Sequence, residues 1–168
     1  MSASIKILFS VLAFSFFLVF LNGCKSNASR NTYIWVIRNA ETDTLGNLNV
    51  IGKTRALLLD SLFLNENVDA LIALKEGSNI ESLKAISKNK DIEITEVHND
   101  DLNNIPSLIL EKQGAIVCLK REQIIPLIKR LGLEVNIDSI PENQFEYLFK
   151  IIIPTDSLKE KRLEVRYF

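Results

Sequence analysis

Histidine is almost missing from this chain: His98 is the only one in 168 residues. Any mechanism that needs two imidazoles is thereby excluded. The chain has two cysteines, Cys24 and Cys118, which leaves no disulfide framework and no zinc-type ligand cluster. Six glycines are scattered singly, and none builds a Gly-rich phosphate loop. Twenty Lys/Arg balance twenty-one Asp/Glu for a net charge of −1. No Lys/Arg block stands out, which argues against a nucleic-acid partner. No Ser/His/Asp set, metal-ligand cluster, cofactor motif, repeat or low-complexity tract appears.

What is present begins with a leader. Lys6 precedes an apolar stretch at residues 7–21, too short to cross a bilayer comfortably. It ends Leu21-Asn22-Gly23-Cys24, which resembles a bacterial lipoprotein cleavage box. The resemblance implies a signal peptide over residues 1–24, cleavage before Cys24, and lipid on its thiol. The alternative is an uncleaved N-terminal anchor. Either reading places the domain outside the cytoplasm on the bacterial cell envelope, with the lipid bilayer as a partner through Cys24. Residues 25–32 form a short polar tether, and residues 33–168 suffice for one domain with one core. With Cys24 acylated, Cys118 has no partner and reads as a small buried hydrophobe.

Tyr33-Ile34-Trp35-Val36-Ile37 is a continuous run of β-branched and aromatic residues, the pattern of a strand buried on both faces. Strands are also expected at residues 69–74, 92–95, 115–119, 145–153 and 162–168, the last two around a turn at 154–159. Helices are expected at residues 50–65, 79–88, 104–112 and 122–131. Asn49 reads as an N-cap. Leu57, Leu58, Ser61, Leu62 and Leu64 are expected to form the apolar face of the first helix. In the last, Ile124, Leu127, Ile128 and Leu131 share a face, Pro126 falls within the first turns and Gly132 stops the helix. Trp35 and the Phe/Ile cluster at 145–153 read as core. The charged tail from Lys159 to Arg166 reads as an edge strand. Alternating strands and helices indicate a three-layer α/β sheet.

Ligands in open α/β sheets bind beyond the carboxyl ends of strands. Arg38 stands at such an end, either holding an anion or simply facing water. The residues around it carry a resemblance. Ile37-Arg38-Asn39-Ala40-Glu41-Thr42 resembles the first-strand signature Arg-His-Gly/Ala-Glu-Thr of the histidine phosphatase (phosphoglycerate mutase-like) superfamily. Leu48-Asn49-Val50-Ile51-Gly52-Lys53-Thr54-Arg55-Ala56 is similar to its Leu-Thr-x-x-Gly-x-x-x-Ala. Ile116-Val117-Cys118-Leu119-Lys120-Arg121, with the helix start to Pro126, resembles the strand that carries its second histidine. The similar segments run from about residue 33 to 168. They imply an α/β/α domain with a mixed, mostly parallel six-stranded sheet, its strand at 145–153 antiparallel, from the small branch without insertions.

The resemblance also implies a phosphatase chemistry that these residues do not supply. In the family one histidine attacks phosphorus, a second and two arginines hold the phosphoryl oxygens, and an acid protonates the leaving group. The nucleophile position is Asn39, whose amide lone pair is delocalised. The second histidine position is Arg121, which only donates. Ser78 falls near the second arginine position. Lys120 occupies a family glycine position. The carboxylates around Val97-His98-Asn99-Asp100-Asp101-Leu102 have no assigned aim, and His98 sits in a polar run.

The leading expectation is a non-catalytic domain whose Arg38, Asn39, Lys120 and Arg121 bind phosphate, sulfate or a carboxylate. Against it stands a pocket filled by a pair between Arg121 and Glu122 or Glu41. The alternatives are a weak phosphatase or other hydrolase using different residues, and an envelope interaction module with a vestigial pocket.

Overall fold

The structure, a computed structural model, describes residues 31–156 and 158–168. The leader, Cys24 and nearly all of the tether lie outside the described residues. Six strands form one sheet in the order β3-β2-β4-β1-β5-β6. They are β1 (Thr32–Arg38), β2 (Ala70–Leu74), β3 (Ile94–Val97), β4 (Gly114–Leu119), β5 (Tyr147–Ile153) and β6 (Arg162–Tyr167). β1 to β4 run parallel, β5 is antiparallel to β1, and β6 is antiparallel to β5. The sheet is mixed and mostly parallel, as the resemblance implies.

The four helices are α1 (Val50–Phe63), α2 (Gly77–Lys90), α3 (Ile105–Leu110) and α4 (Arg121–Arg130). A 3₁₀ helix, Asn99–Asn104, leads into α3. Helices α1 and α2 cover one face of the sheet, α3 and α4 the other. Successive residues of β1 point to opposite faces. Ile34 and Val36 therefore meet Ile124, Leu127 and Ile128. Trp35 and Ile37 meet Leu59, Phe63, Leu83 and Ile86. This explains why the run is apolar without alternation. Trp35 packs edge-on against Phe63 with centroids 5.4 Å apart.

Local signals account for several boundaries. Asn49 Oδ1 accepts the Gly52 N–H at 2.9 Å and caps α1. Gly132, with φ +79°, follows the end of α4. Helix α2 starts two residues before the expected 79 and runs to Lys90, closed by Asp91 at φ 55°. β3 lies two residues beyond its expected start, since residues 91–93 form the turn and extended link after α2. The expected helix at 104–112 shortens to Ile105–Leu110, since residues 99–104 form the tighter 3₁₀ turns. Pro126 lies inside α4. The tail is an edge strand as expected, with Val165 and Tyr167 exposed.

One expectation fails outright. The apolar face assigned to α1 points outward: Leu57, Leu58, Leu62 and Leu64 are exposed. The buried positions are Gly52, Ala56, Leu59 and Phe63. Gly52 allows this approach, because a Cβ there would collide with the backbone oxygen of Glu41. Leucines are more numerous on the outward stripe, but the inward stripe packs Leu59 and Phe63 on the sheet and sets Gly52 and Ala56 against the loop after β1.

This assignment separates two neighbouring leucines. Leu59→Ala is expected to cost about 2–5 kcal/mol. Leu58→Ala should stay within about 0.5 kcal/mol of wild type. Equilibrium urea unfolding of both variants measures the contrast.

Candidate functional site

β1, β2 and β4 all end at one edge of the sheet, and their following loops enclose a cleft of about 330 Å³. Arg38 and Asn39 come from the end of β1, Ser78 from the start of α2, and Lys120 and Arg121 from the start of α4. The residues singled out in the sequence therefore share one cleft. Glu76, Glu122 and Glu142 also line it.

Arg38 does not simply face water. Its Nη1 donates to the carbonyl oxygens of Glu142 at 3.0 Å and Gln144 at 2.9 Å, with Pro141 at 3.4 Å. Its guanidinium lies 3.7 Å above the ring centroid of Phe145, a favourable cation–π placement. Phe145 thus precedes β5 and serves the cleft rather than the core. Burial, and next the charge of Arg121, lower the Arg38 pKa from its ordinary value, while Glu41, Glu122 and Glu142 oppose that shift. The lowering by Arg121 means that the two guanidinium groups repel each other across the cleft.

Arg121 forms no ion pair among the described residues. Glu41, one of its two expected partners, is taken by Arg55, which donates to Glu41 from Nε and Nη2 at 2.6–3.0 Å. Lys120, expected to face the ligand, instead pairs with Glu76 at 2.7 Å across the cleft rim. Its charge is therefore partly answered from within the protein. Gln123 Oε1 accepts the Lys120 N–H at 3.1 Å at the start of α4, which is how this helix opens at the cleft.

Asn39 is held by a buried strut. The Ser82 hydroxyl accepts the Ala40 N–H at 2.9 Å and donates to the Ser78 carbonyl at 2.7 Å. The Asn39 N–H bonds to Leu119 O at 3.0 Å, continuing the β1–β4 ladder. Its side-chain Nδ2 donates to Ala40 O at 3.2 Å and reaches Ser78 Oγ at 3.4 Å. This amide presents polarity without a titrating group.

Other expected participants lie elsewhere. His98 is exposed, precedes the 3₁₀ helix and does not line the cleft. Asp100 and Asp101 fall on that same 3₁₀ helix. Cys118 is a free, fully buried thiol whose pKa burial pushes up. Sequence reasoning missed Glu142 and Phe145, because nothing in a loop's spelling says that it folds back over a strand end. It also missed a second cavity of about 600 Å³ beside α4, which shares Arg121 and Glu122 with the cleft and is walled by Ile125, Pro126 and Ile140. Among the described residues no group of His, Cys, Asp and Glu is placed to hold a metal ion, and no helix is long and apolar enough to cross a membrane.

The Glu41–Arg55 pair braces the loop behind the cleft and carries a pH signature. Burial works against the Glu41 charge, but the Arg55 hydrogen bonds, a backbone hydrogen bond and the charges of Arg55 and Arg38 together outweigh it, and the pKa is lowered from 4.5. Folding therefore gains stability from this carboxylate above that value and loses it as pH falls through the folded-state pKa. Glu41→Gln is expected to destabilise the protein at pH 7, with the deficit shrinking progressively below pH 4.5. Urea unfolding across pH 3 to 7 reads this directly.

No protein-family model matches the sequence, and no curated protein is significantly similar to it. Solved structures do match. A mycobacterial glucosyl-3-phosphoglycerate phosphatase superposes with a TM-score of 0.62 at 10% identity, covering 82% of this chain and 99% of its own. A phosphoglycerate mutase from Bacillus anthracis gives 0.56 at 10% identity, covering 86% and 95%. A protein histidine phosphatase SixA, solved with tungstate, gives 0.53 at 9% identity, covering 76% and 100%. Through strand order, the antiparallel fifth strand and these superpositions, the chain has the fold of the histidine phosphatase (phosphoglycerate mutase-like) superfamily.

Proposed function

We propose that this domain binds an oxyanion, such as phosphate, sulfate or a carboxylate, without turning it over, while lipid on Cys24 holds it at the bacterial envelope. The observation that carries the reading is the pair of guanidinium groups, Arg38 and Arg121, that line one cleft, where like charges repel. An anion between them relieves that repulsion and accepts charge-assisted hydrogen bonds from Arg121. Amide N–H groups at the start of α4 face the same edge, where the helix dipole favours negative charge. Tungstate, present in one neighbour of this fold, belongs to the same class of tetrahedral oxyanions.

Catalysis lacks its nucleophile under this reading. Asn39 and Arg121 occupy the positions where the resemblance expects imidazole, and neither has a free nitrogen lone pair to give phosphorus. The chain's one histidine stands outside the cleft. Glu76, Glu122 and Glu142 temper the positive charge, so the site suits a modest affinity for an anion. The interaction-module reading keeps one supporting observation, the exposed apolar face of α1.

Calorimetric titration with phosphate and with sulfate tests the site. The wild type is expected to release heat with at least one of them. Arg121→Ala should weaken binding by about 10- to 100-fold, the value of one charged hydrogen bond at about 1.5–3 kcal/mol. No heat with the wild type, or unchanged heat with Arg121→Ala, rules the site out. Phosphate release from an aryl phosphate that disappears in His98→Ala would restore an enzymatic reading.

A further inference from the structure

We infer that the outward face of α1 is a docking surface that lies on the lipid bilayer. The inference rests on the anchoring reading given above. Val50, Ile51, Leu57, Leu58, Leu62 and Leu64 on this face are between 42% and 81% exposed. Thr54 and Ser61, between them, direct their hydroxyls back to the carbonyls of Val50 and Leu57 at 3.0 and 3.1 Å. The strip therefore offers water almost nothing polar over four turns. Surface patches of this kind mark interaction sites.

Three observations favour a membrane as the occupant. The first is charge. Asp60, at the edge of the strip, is taken by Asn89 Nδ2 of α2. Lys53 stands exposed on α1 itself, and α2, which packs against α1, carries exposed Lys88 and Lys84, the latter 4.0 Å from Glu81. Apolar side chains beside lysines form the composition of a surface that rests on anionic lipid.

The second is size. Fourteen residues make a helix about 21 Å long and about 10 Å wide. One such face falls well short of the roughly 800 Å² per partner that a stable protein interface covers. A tethered surface needs less, because the anchor keeps it at high effective concentration beside the bilayer.

The third is the tether. Tyr33, next to the start of β1, pairs with Gly114. The Gly114 carbonyl accepts the N–H of Asp69, which closely follows α1, and Phe63 at the end of α1 reaches Trp35. The chain entry and the carboxyl end of α1 thus share one edge of the domain. Seven residues separate Cys24 from Thr32, a reach of at most about 29 Å. The cleft opens at the opposite edge.

The experiment uses the full chain, purified from bacterial membranes and reconstituted in vesicles of phosphatidylcholine and phosphatidylglycerol. Flotation reports the anchor, and quenching by brominated acyl chains reports the face. The indole added by Leu58→Trp should lose most of its emission, and that added by Leu110→Trp, on α3 across the sheet, should not. Trp35 is buried and gives the unquenched background. Flotation without selective quenching leaves the anchor standing and overturns the docking. Failure to float overturns the anchor and the docking with it. Protection of the Leu58→Trp indole from aqueous iodide in vesicle-free chain that self-associates assigns the face to a second copy and also overturns the inference.

Discussion

A guanidinium held from behind by carbonyl oxygens and from below by an aromatic ring is what the cleft depends on. Arg38 is fixed by the carbonyls of Glu142 and Gln144 and by the ring of Phe145. Those contacts require the loop between α4 and β5 to fold back over the end of β1. They also require β1 to be central, with its sides buried and only its carboxyl end free. The apolar run from Tyr33 to Ile37 supplies that condition. From there the argument is electrostatic. A cation that is already anchored does not wander to find a partner, and Arg121, without an ion pair among the described residues, adds a second positive charge to the cleft.

The same logic explains the pairs that surround the cleft. Arg55 consumes Glu41 and Glu76 consumes Lys120. Removing those four charges from play leaves Arg38 and Arg121 facing Glu122 and Glu142. The polar strut of Ser78 and Ser82 then sets where Asn39 sits, using hydrogen bonds that are buried and so geometrically demanding. A carboxamide in that place is compatible with holding a ligand oxygen. It cannot take up a phosphoryl group.

Much of the fold was legible in the residues. β1 and β4 read as apolar runs because both faces are covered, and α4 read as a helix because Ile124, Leu127, Ile128 and Leu131 recur at helical spacing. Asn49 and Gly132 marked ends through local chemistry that needs no tertiary context. The α1 face was misread because leucine count outweighed packing: Gly52 and Ala56 let the helix approach, and that choice is made by the sheet. The first half of the site, Arg38 to Glu41, was legible because it is contiguous in the chain. Glu142 and Phe145 were not, since their contact with Arg38 spans more than a hundred residues and follows only from how the loop returns. The ion pairs of Lys120 with Glu76 and of Arg55 with Glu41 were hidden because residue spacing does not say which loop meets which helix start.

The exposed leucines of α1 give the domain a second asymmetry, an apolar side and a charged cleft edge at different places on its surface. Whether the cleft only grips is the question on which the reading turns. Intact-mass measurement after incubation with a small phosphoryl donor such as phosphoramidate answers it most directly. The account requires the protein to emerge unmodified, and a stable phosphoryl adduct on any side chain would contradict it.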